Sequence, residues 1–264
     1  MPDPQPTDWS TGRYECVAER IATIAAEVVA AADRRRPIRD AAVLDLACGT
    51  GNAALAAAAA GARVTGVDLT ADLIEVAMSR PGAGAVQWVV ADAADTGLSA
   101  STFDAVVSNM GIIFVEPVRL VDEVARVLKP GGIFGFSAWV RDSVGSPFST
   151  PILETLGAPQ GLSHSPDQWG DSDTVRDRLS RAFTDIDIDT ARYTWTFGSV
   201  TDAMYFLEHE SPMHVDLLGR ISPDQRRQLL AAFEAALTAH ADHTGQVSFS
   251  SPYLIATATR THSA

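Results

Sequence analysis

Val43-Leu44-Asp45-Leu46-Ala47-Cys48-Gly49-Thr50-Gly51-Asn52 is the stretch that decides the fold. Residues 43–47 form a short apolar run of strand length. Gly49 and Gly51 allow a sharp turn and let the backbone approach a ligand closely. The alanine-rich run that follows reads as a helix to residue 60, stopped by Gly61. A helix opened in this way turns its unpaired N–H groups toward whatever anion lies at the turn.

Working outward, the same rhythm repeats. Residues 63–67 are a second strand ending in Asp68, residues 71–79 a helix, and residues 86–91 a third strand ending in Asp92. Residues 103–108 are a fourth strand, and residues 118–128 a helix stopped by Lys129-Pro130-Gly131-Gly132. Residues 133–140 are a fifth strand. Strands that alternate with helices require a parallel sheet, because each crossover helix packs back on a face. Upstream, residues 9–33 place Val17, Ile21, Ile24, Val28 and Val29 on one helical face. Downstream, residues 141–170 are rich in Ser, Pro and Gly and read as loop with a short helix. Residues 173–182 read as helix, 185–197 as an amphipathic strand, 200–207 and 223–240 as helices, and 247–259 as a last strand. The expected organisation is a helical cap (1–40), a nucleoside-binding core (41–140), and a substrate-side loop and helix (141–183). Closing strands follow (184–264), with a helical insertion at 199–245.

Asp68 lies 19 residues beyond Gly49 at a strand end, where a carboxylate can take both hydroxyls of a ribose. Asp92, at the next strand end, can accept from an adenine amino group. Open α/β sheets bind ligands at this rim. The run Gly49-x-Gly51-x-x-Ala54 also satisfies a dinucleotide fingerprint. Against that, Asp45 would repel a pyrophosphate. The one lysine, Lys129, follows no tyrosine at the spacing a short-chain dehydrogenase needs. The same scarcity of lysine removes a Walker loop and argues against a pyridoxal Schiff base.

Composition narrows the classes further. The chain has 264 residues, 46% hydrophobic and 20% charged, and a formal net charge of −13. That charge disfavours nucleic-acid binding, which leaves a basic footprint. Two cysteines, Cys16 and Cys48, make neither a disulfide scaffold nor a Cys-rich zinc site. The first eight residues lack a signal pattern, and the most apolar stretch falls short of the roughly 20 residues of a membrane span. A cytoplasmic protein without membrane insertion is expected. Arg-heavy, Lys-poor usage suggests a bacterial source.

These motifs together resemble a class I S-adenosylmethionine (SAM)-dependent methyltransferase, in its quinone-methyltransferase-like small-molecule branch. The resemblance rests on the 45–51 loop, Thr65-Gly66-Val67-Asp68, Ala91-Asp92-Ala93, residues 103–108, and Arg126-Val127-Leu128-Lys129-Pro130-Gly131-Gly132. Trp9-Ser10-Thr11-Gly12-Arg13-Tyr14 resembles the segment that closes over the cofactor. Many relatives have Gly-Asp-Ala-Glu-x-Leu-Pro where this chain has Ala91-Asp92-Ala93-Ala94-Asp95-Thr96-Gly97. The resemblance implies a Rossmann-like, doubly wound, seven-stranded sheet, mostly parallel with an antiparallel last strand, plus helical lid insertions. It implies SAM as cofactor and S-adenosylhomocysteine as product. The residues it implies at the cofactor are Trp9, Tyr14, Ala47, Gly49, Thr50, Gly51, Asp68, Leu69, Asp92, Ala93, Asn109 and Met110. Two other readings stand beside it: an NAD(P)-dependent oxidoreductase, and a SAM-binding partner protein without catalysis.

The acceptor should meet chain that leaves the later strands. Ile113 and Phe114 follow the fourth strand, Trp139 and Trp169 the fifth, and Met204 and Met213 lie in the insertion. These side chains suit an apolar or aromatic small molecule, capped by a lid of the N-terminal helix, residues 141–170 and residues 199–223. His164, His209 and His214 are candidate bases, although alignment and desolvation alone can carry a methyl transfer. His209-Glu210-Ser211-Pro212-Met213-His214 does not put its histidines on one helical face, so no metal is expected. Asp104, at the far end of its strand, reads as structural.

Overall fold

In the computed structural model, residues 6–141, 145–157 and 164–262 are described. The elements run α1 (Tyr14–Arg20), α2 (Ala22–Arg35), β1 (Ala42–Leu46), α3 (Asn52–Ala59), β2 (Arg63–Asp68), α4 (Ala71–Ser79), β3 (Val86–Val90) and β4 (Phe103–Asn109). Next come α5 (Pro117–Val127), β5 (Leu128–Trp139), α6 (Thr150–Leu156), α7 (Ser172–Leu179) and β6 (Phe183–Phe197). The chain closes with α8 (Val200–Tyr205), a π-helical turn (Phe206–Glu210), α9 (Pro212–Arg220), α10 (Pro223–Thr238) and β7 (Val247–Arg260). The sheet order is β3-β2-β1-β4-β5-β7-β6. The pairs from β3 to β5 are parallel, and β7 runs antiparallel to β5. Strand order therefore reverses between β1 and β4, the switch point where such sheets open a crevice.

Two compact units divide the chain. The first holds residues 18–140, 164–190 and 253–264 and carries most of the sheet. Side chains alternate across each strand. Leu44 and Leu46 enter a core with Val106, Leu120, Val124, Phe134 and Phe136. Val43 faces the other way, into a core with Val28, Ala53, Ala54, Ala57 and Ile133. The alanines of α3 allow that helix to lie close to the strands. Beneath the sheet, Asp104 accepts from the Ala42 N–H at 3.0 Å and from Lys129 Nζ at 2.8 Å, with Arg36 Nη2 at 3.2 Å. The starts of β1, β4 and β5 are tied there, which is the structural role expected of Asp104.

The second unit holds residues 1–17, 141–163 and 191–252. Its aromatic centre is Phe148, whose ring meets Trp195, Phe206 and Phe249 at 5.2, 5.8 and 4.9 Å. Residues 142–144 and 158–163, part of the expected substrate-side loop, lie outside the described residues.

Several expectations are corrected. The N-terminal helix begins at Tyr14, not residue 9, and breaks at Ile21. The Ala18 carbonyl there accepts from Asn52 Nδ2 at 2.7 Å, and the helix restarts on the Ile21 carbonyl. Lys129-Pro130-Gly131-Gly132 does not separate helix from strand. It lies inside β5, where register shifts between Phe103 and Ala105, and Gly131 takes a φ of 73°. Proline and paired glycines read as a breaker but here form a bulge-like irregularity at the start of an interior strand. The expected helix at 200–207 turns π-helical after Tyr205, and α9 was not anticipated.

Candidate functional site

The turn after β1 is built by a division of labour. Gly51 is the N-cap residue of α3, at φ 83°, and has no side chain to cap with. Asp45, which faces α3 from β1, supplies the missing acceptor: its Oδ2 takes the Ala54 N–H at 2.7 Å. That is the third N–H of the helix, the one a Ser or Asp cap would satisfy. Asp45 is buried, its Oδ1 finds no partner among the described residues, and burial raises its pKa to about 8. Gly51 cannot carry a Cβ, which would stand 2.3 Å from the Trp88 ring, and Gly66 would meet the same ring at 2.7 Å. Arg80 Nη1 fastens the turn from α4, donating to the Thr50 carbonyl and to Asn52 Oδ1, each at 2.7 Å.

Asp68 closes the other side. Its Oδ2 accepts the Gly49 N–H at 2.8 Å and its Oδ1 the Thr70 N–H at 2.9 Å. The Thr70 hydroxyl and the Leu69 N–H approach the same carboxylate. Burial pushes the Asp68 carboxyl above its ordinary value, against the pull of those N–H groups. Leu69, the next residue, is 69% exposed. Beyond β3, Asp92 Oδ1 accepts the Ala94 N–H at 2.8 Å, and Arg119 Nη2 stands 3.6 Å from Oδ2. Ala93 is buried.

The β4 end approaches the β1 end closely. A Cβ on Gly111 would lie 2.3 Å from the Ala47 carbonyl oxygen. Ala47 and Met110, on the two sides of that approach, have φ of 53° and 59°. Non-glycine residues in this region store strain, often at functional sites. Ser137 holds the arrangement: its Oγ donates to Asn109 Oδ1 at 2.8 Å and accepts the Met110 N–H at 3.1 Å.

Within the first unit, the structure thus gathers Ala47, Gly49, Thr50, Gly51, Asp68, Leu69, Asp92, Ala93, Asn109 and Met110 along one rim of the sheet. Ile113 and Phe114 continue from β4 in a 3-10 turn, one buried and one partly exposed. Trp139 ends β5, edge-on to Tyr253 at 6.3 Å. His164 is half-buried and lowers the pKa of Glu116, whose first cause is the Arg119 N–H it caps. Trp169 is corrected. It is wholly buried, edge-on to Phe136 at 5.3 Å, with the Arg178 guanidinium 4.6 Å from its ring centre. It belongs to the core rather than an acceptor pocket.

The remaining candidates lie in the second unit. Trp9 and Tyr14 are both half-buried and meet edge-on at 6.1 Å. Met204 is half-buried on α8 and Met213 is 38% exposed on α9. His209 is exposed against Tyr205. His214 is not an open base. Its Nδ1 pairs with Ser211 Oγ at 2.7 Å and its Nε2 with the Phe148 carbonyl at 3.2 Å, and burial lowers its pKa to about 4. Among the described residues, no group of three His, Cys, Asp or Glu could hold a metal ion, and no helix is long and apolar enough to cross a membrane.

Residues 44–136 match the family described as "Methyltransferase domain". An uncharacterized protein of Mycobacterium tuberculosis is 37% identical over 183 residues, which is 65% of this chain and 65% of that protein. A demethylmenaquinone methyltransferase of Clavibacter sepedonicus is 41% identical over 163 residues, 55% of this chain and 66% of that one. The chain thus spans slightly under two thirds of the length of these relatives. The fold is shared with YcgJ of Bacillus subtilis, at TM-score 0.59 and 18% identity over 90% of this chain and 99% of that one. It is shared too with a Haemonchus contortus phosphoethanolamine N-methyltransferase crystallised with SAM, at TM-score 0.55 and 20% identity over 89% and 52%. Residues 44–136 are thus similar to the methyltransferase domain family, on a class I fold.

Sequence reasoning missed Ser137, Arg80 and Trp88. Their signal is placement: Ser137 is the polar residue of the apolar run 133–139, and Trp88 pairs in register with Gly66.

Proposed function

We propose that this chain binds SAM at the β1–β4 rim and transfers its methyl group to a small-molecule acceptor. The observation that carries this reading is Asp68. Its carboxylate locks the Gly49 N–H at the rim, and a ribose hydroxyl there would take the place of the Thr70 hydroxyl as a donor to it. The surroundings fit a thioether nucleoside. Asp45, buried with one unpartnered oxygen, caps the turn from behind and, protonated below about pH 8, adds no charge to it. Gly111 lets the end of β4 pack directly against Ala47 at the rim, and exposed Leu69 offers an apolar face for a base.

SAM, when bound, supplies an electrophilic methyl carbon on a positive sulfur. The chain's own task is to bind, orient and exclude water. Asp68 holds the ribose, Asp92 and Ala93 the adenine, and the Gly49–Gly51 turn the methionine part. Asn109 and Met110, fixed by Ser137, form the wall from which Ile113 and Phe114 extend toward the acceptor. Alignment of this kind can remove about 7–11 kcal/mol of barrier. His214, with both nitrogens engaged, has no part in the proton balance. His164 is the half-buried imidazole on this unit and stands as the candidate base for an O- or N-acceptor.

The relatives favour a quinone-like ring as the first acceptor class to test. Calorimetric titration with S-adenosylhomocysteine and with NAD distinguishes the cofactors. Transfer of radioactive methyl from SAM to a reduced naphthoquinone tests the reaction. Binding without transfer to that ring, or to a metabolite extract, would leave a SAM-binding protein without catalysis.

A further inference from the structure

Helix α5 carries a carboxylate in an unusual position. Glu123 is only 6% exposed, yet it lies in a helix with exposed neighbours. Its partners explain the burial. Oε1 accepts the Thr96 N–H at 2.9 Å, the Thr96 hydroxyl at short range, and Arg126 Nη2 at 2.7 Å. Oε2 accepts Arg126 Nε at 2.7 Å. Thr96 closes the turn that begins at Asp92: the Asp95 N–H donates to the Asp92 carbonyl at 3.0 Å, and the Leu98 N–H to Thr96 Oγ1 at 3.2 Å. One helical turn before Glu123, Arg119 approaches Asp92. Residues four apart on a helix share a face. That face therefore holds both ends of the Asp92–Thr96 turn, through Arg119 at one end and Glu123 at the other.

We infer that Glu123, braced by Arg126, is a positioning residue that sets this turn and so determines how strictly the site reads the 6-amino group of the nucleobase. The inference rests on the reading of Asp92 as the acceptor for that amino group. A buried ionised carboxylate with four donors is a stiff anchor, because each charge-assisted bond lost leaves a desolvated group. Glu123 does not touch the ligand in this account.

The test compares S-adenosylhomocysteine with S-inosylhomocysteine, which carries a carbonyl where adenine carries its amino group. Wild type, Thr96→Val, Glu123→Gln and Asp92→Asn are titrated by calorimetry at matched folded fraction. Wild type should prefer the adenosyl compound by about 100-fold, since the inosyl carbonyl faces the Asp92 carboxylate. Thr96→Val and Glu123→Gln should lower that preference about tenfold, the worth of one hydrogen bond to a charged group. General destabilisation weakens both ligands alike and leaves the ratio unmoved, so an unchanged ratio overturns the role of Glu123. Thr96→Val removes only one hydroxyl and serves if Glu123→Gln fails to fold. Binding of S-adenosylhomocysteine without any preference in wild type, or a preference that survives Asp92→Asn, removes the Asp92 reading and this inference with it. Failure to bind either compound removes the SAM reading itself.

Discussion

Asp45 shows how one buried side chain can serve a helix and oppose stability at once. It caps α3 in place of Gly51, yet burial holds its pKa near 8. Above the ordinary aspartate range the unfolded chain has lost a proton that the folded chain keeps. Its contribution is therefore complete below about pH 4 and is lost as pH rises through about 8. Asp45→Asn keeps the Ala54 acceptor and cannot ionise. Denaturant titrations should show the variant gaining on wild type between about pH 5 and about pH 8, by at least about 1.4 kcal/mol, one pKa unit. A constant difference would show that burial does not control this carboxyl. Asp68 is tested by binding. Asp68→Ala should weaken S-adenosylhomocysteine by about 1.5–3 kcal/mol, and unchanged affinity in a folded variant would remove Asp68 from the site.

At the scale of elements, the two ends of the sheet separate binding from stability. Asp104 ties β1, β4 and β5 at the far end from the rim; burial pushes its carboxyl up, but Lys129, the Ala42 N–H and Arg36 together lower its pKa. Asp104→Ala should destabilise the fold by about 1–3 kcal/mol in thermal or denaturant unfolding, with affinity for S-adenosylhomocysteine unchanged. Loss of affinity would show that strand starts and rim are coupled. Glu123 has the opposite sign to Asp45. Arg126 and Thr96 overcome its burial and draw its pKa down to about 2. Its pairing stabilises above the ordinary glutamate range and is lost as pH falls toward 2. The alternation of strands and helices to residue 127 was legible because each element carries its own period. The bounds of α4 fell where the spacing placed them. The start of β5 was not legible, since Lys-Pro-Gly-Gly is locally a stop and only the pairing with β4 makes it strand. The Glu123–Thr96 clamp joins residues 27 apart, and no local pattern connects them. The enclosure of His214 is not legible locally, because it depends on Phe148, distant in the chain.

Across the whole molecule, the proposed cofactor site lies on the first unit, at the carboxyl ends of strands whose other ends are tied by Asp104. Hydrogen exchange should therefore respond to S-adenosylhomocysteine at residues 47–52, 68–70 and 92–96. The starts of β1 and β4 should not change. Protection spread evenly over the sheet would indicate general stabilisation instead. The stripe Asp185, Asp187 and Asp189 along the outermost strand β6 is exposed, the kind of charge that blocks pairing with another sheet edge. The most direct measurement is titration of wild type and Asp68→Ala with S-adenosylhomocysteine, with NAD alongside. Affinity on the order of micromolar is expected for the thioether nucleoside, none for NAD, and a loss of about tenfold or more in the variant. Heat from NAD alone, or equal binding by both proteins, would contradict that expectation.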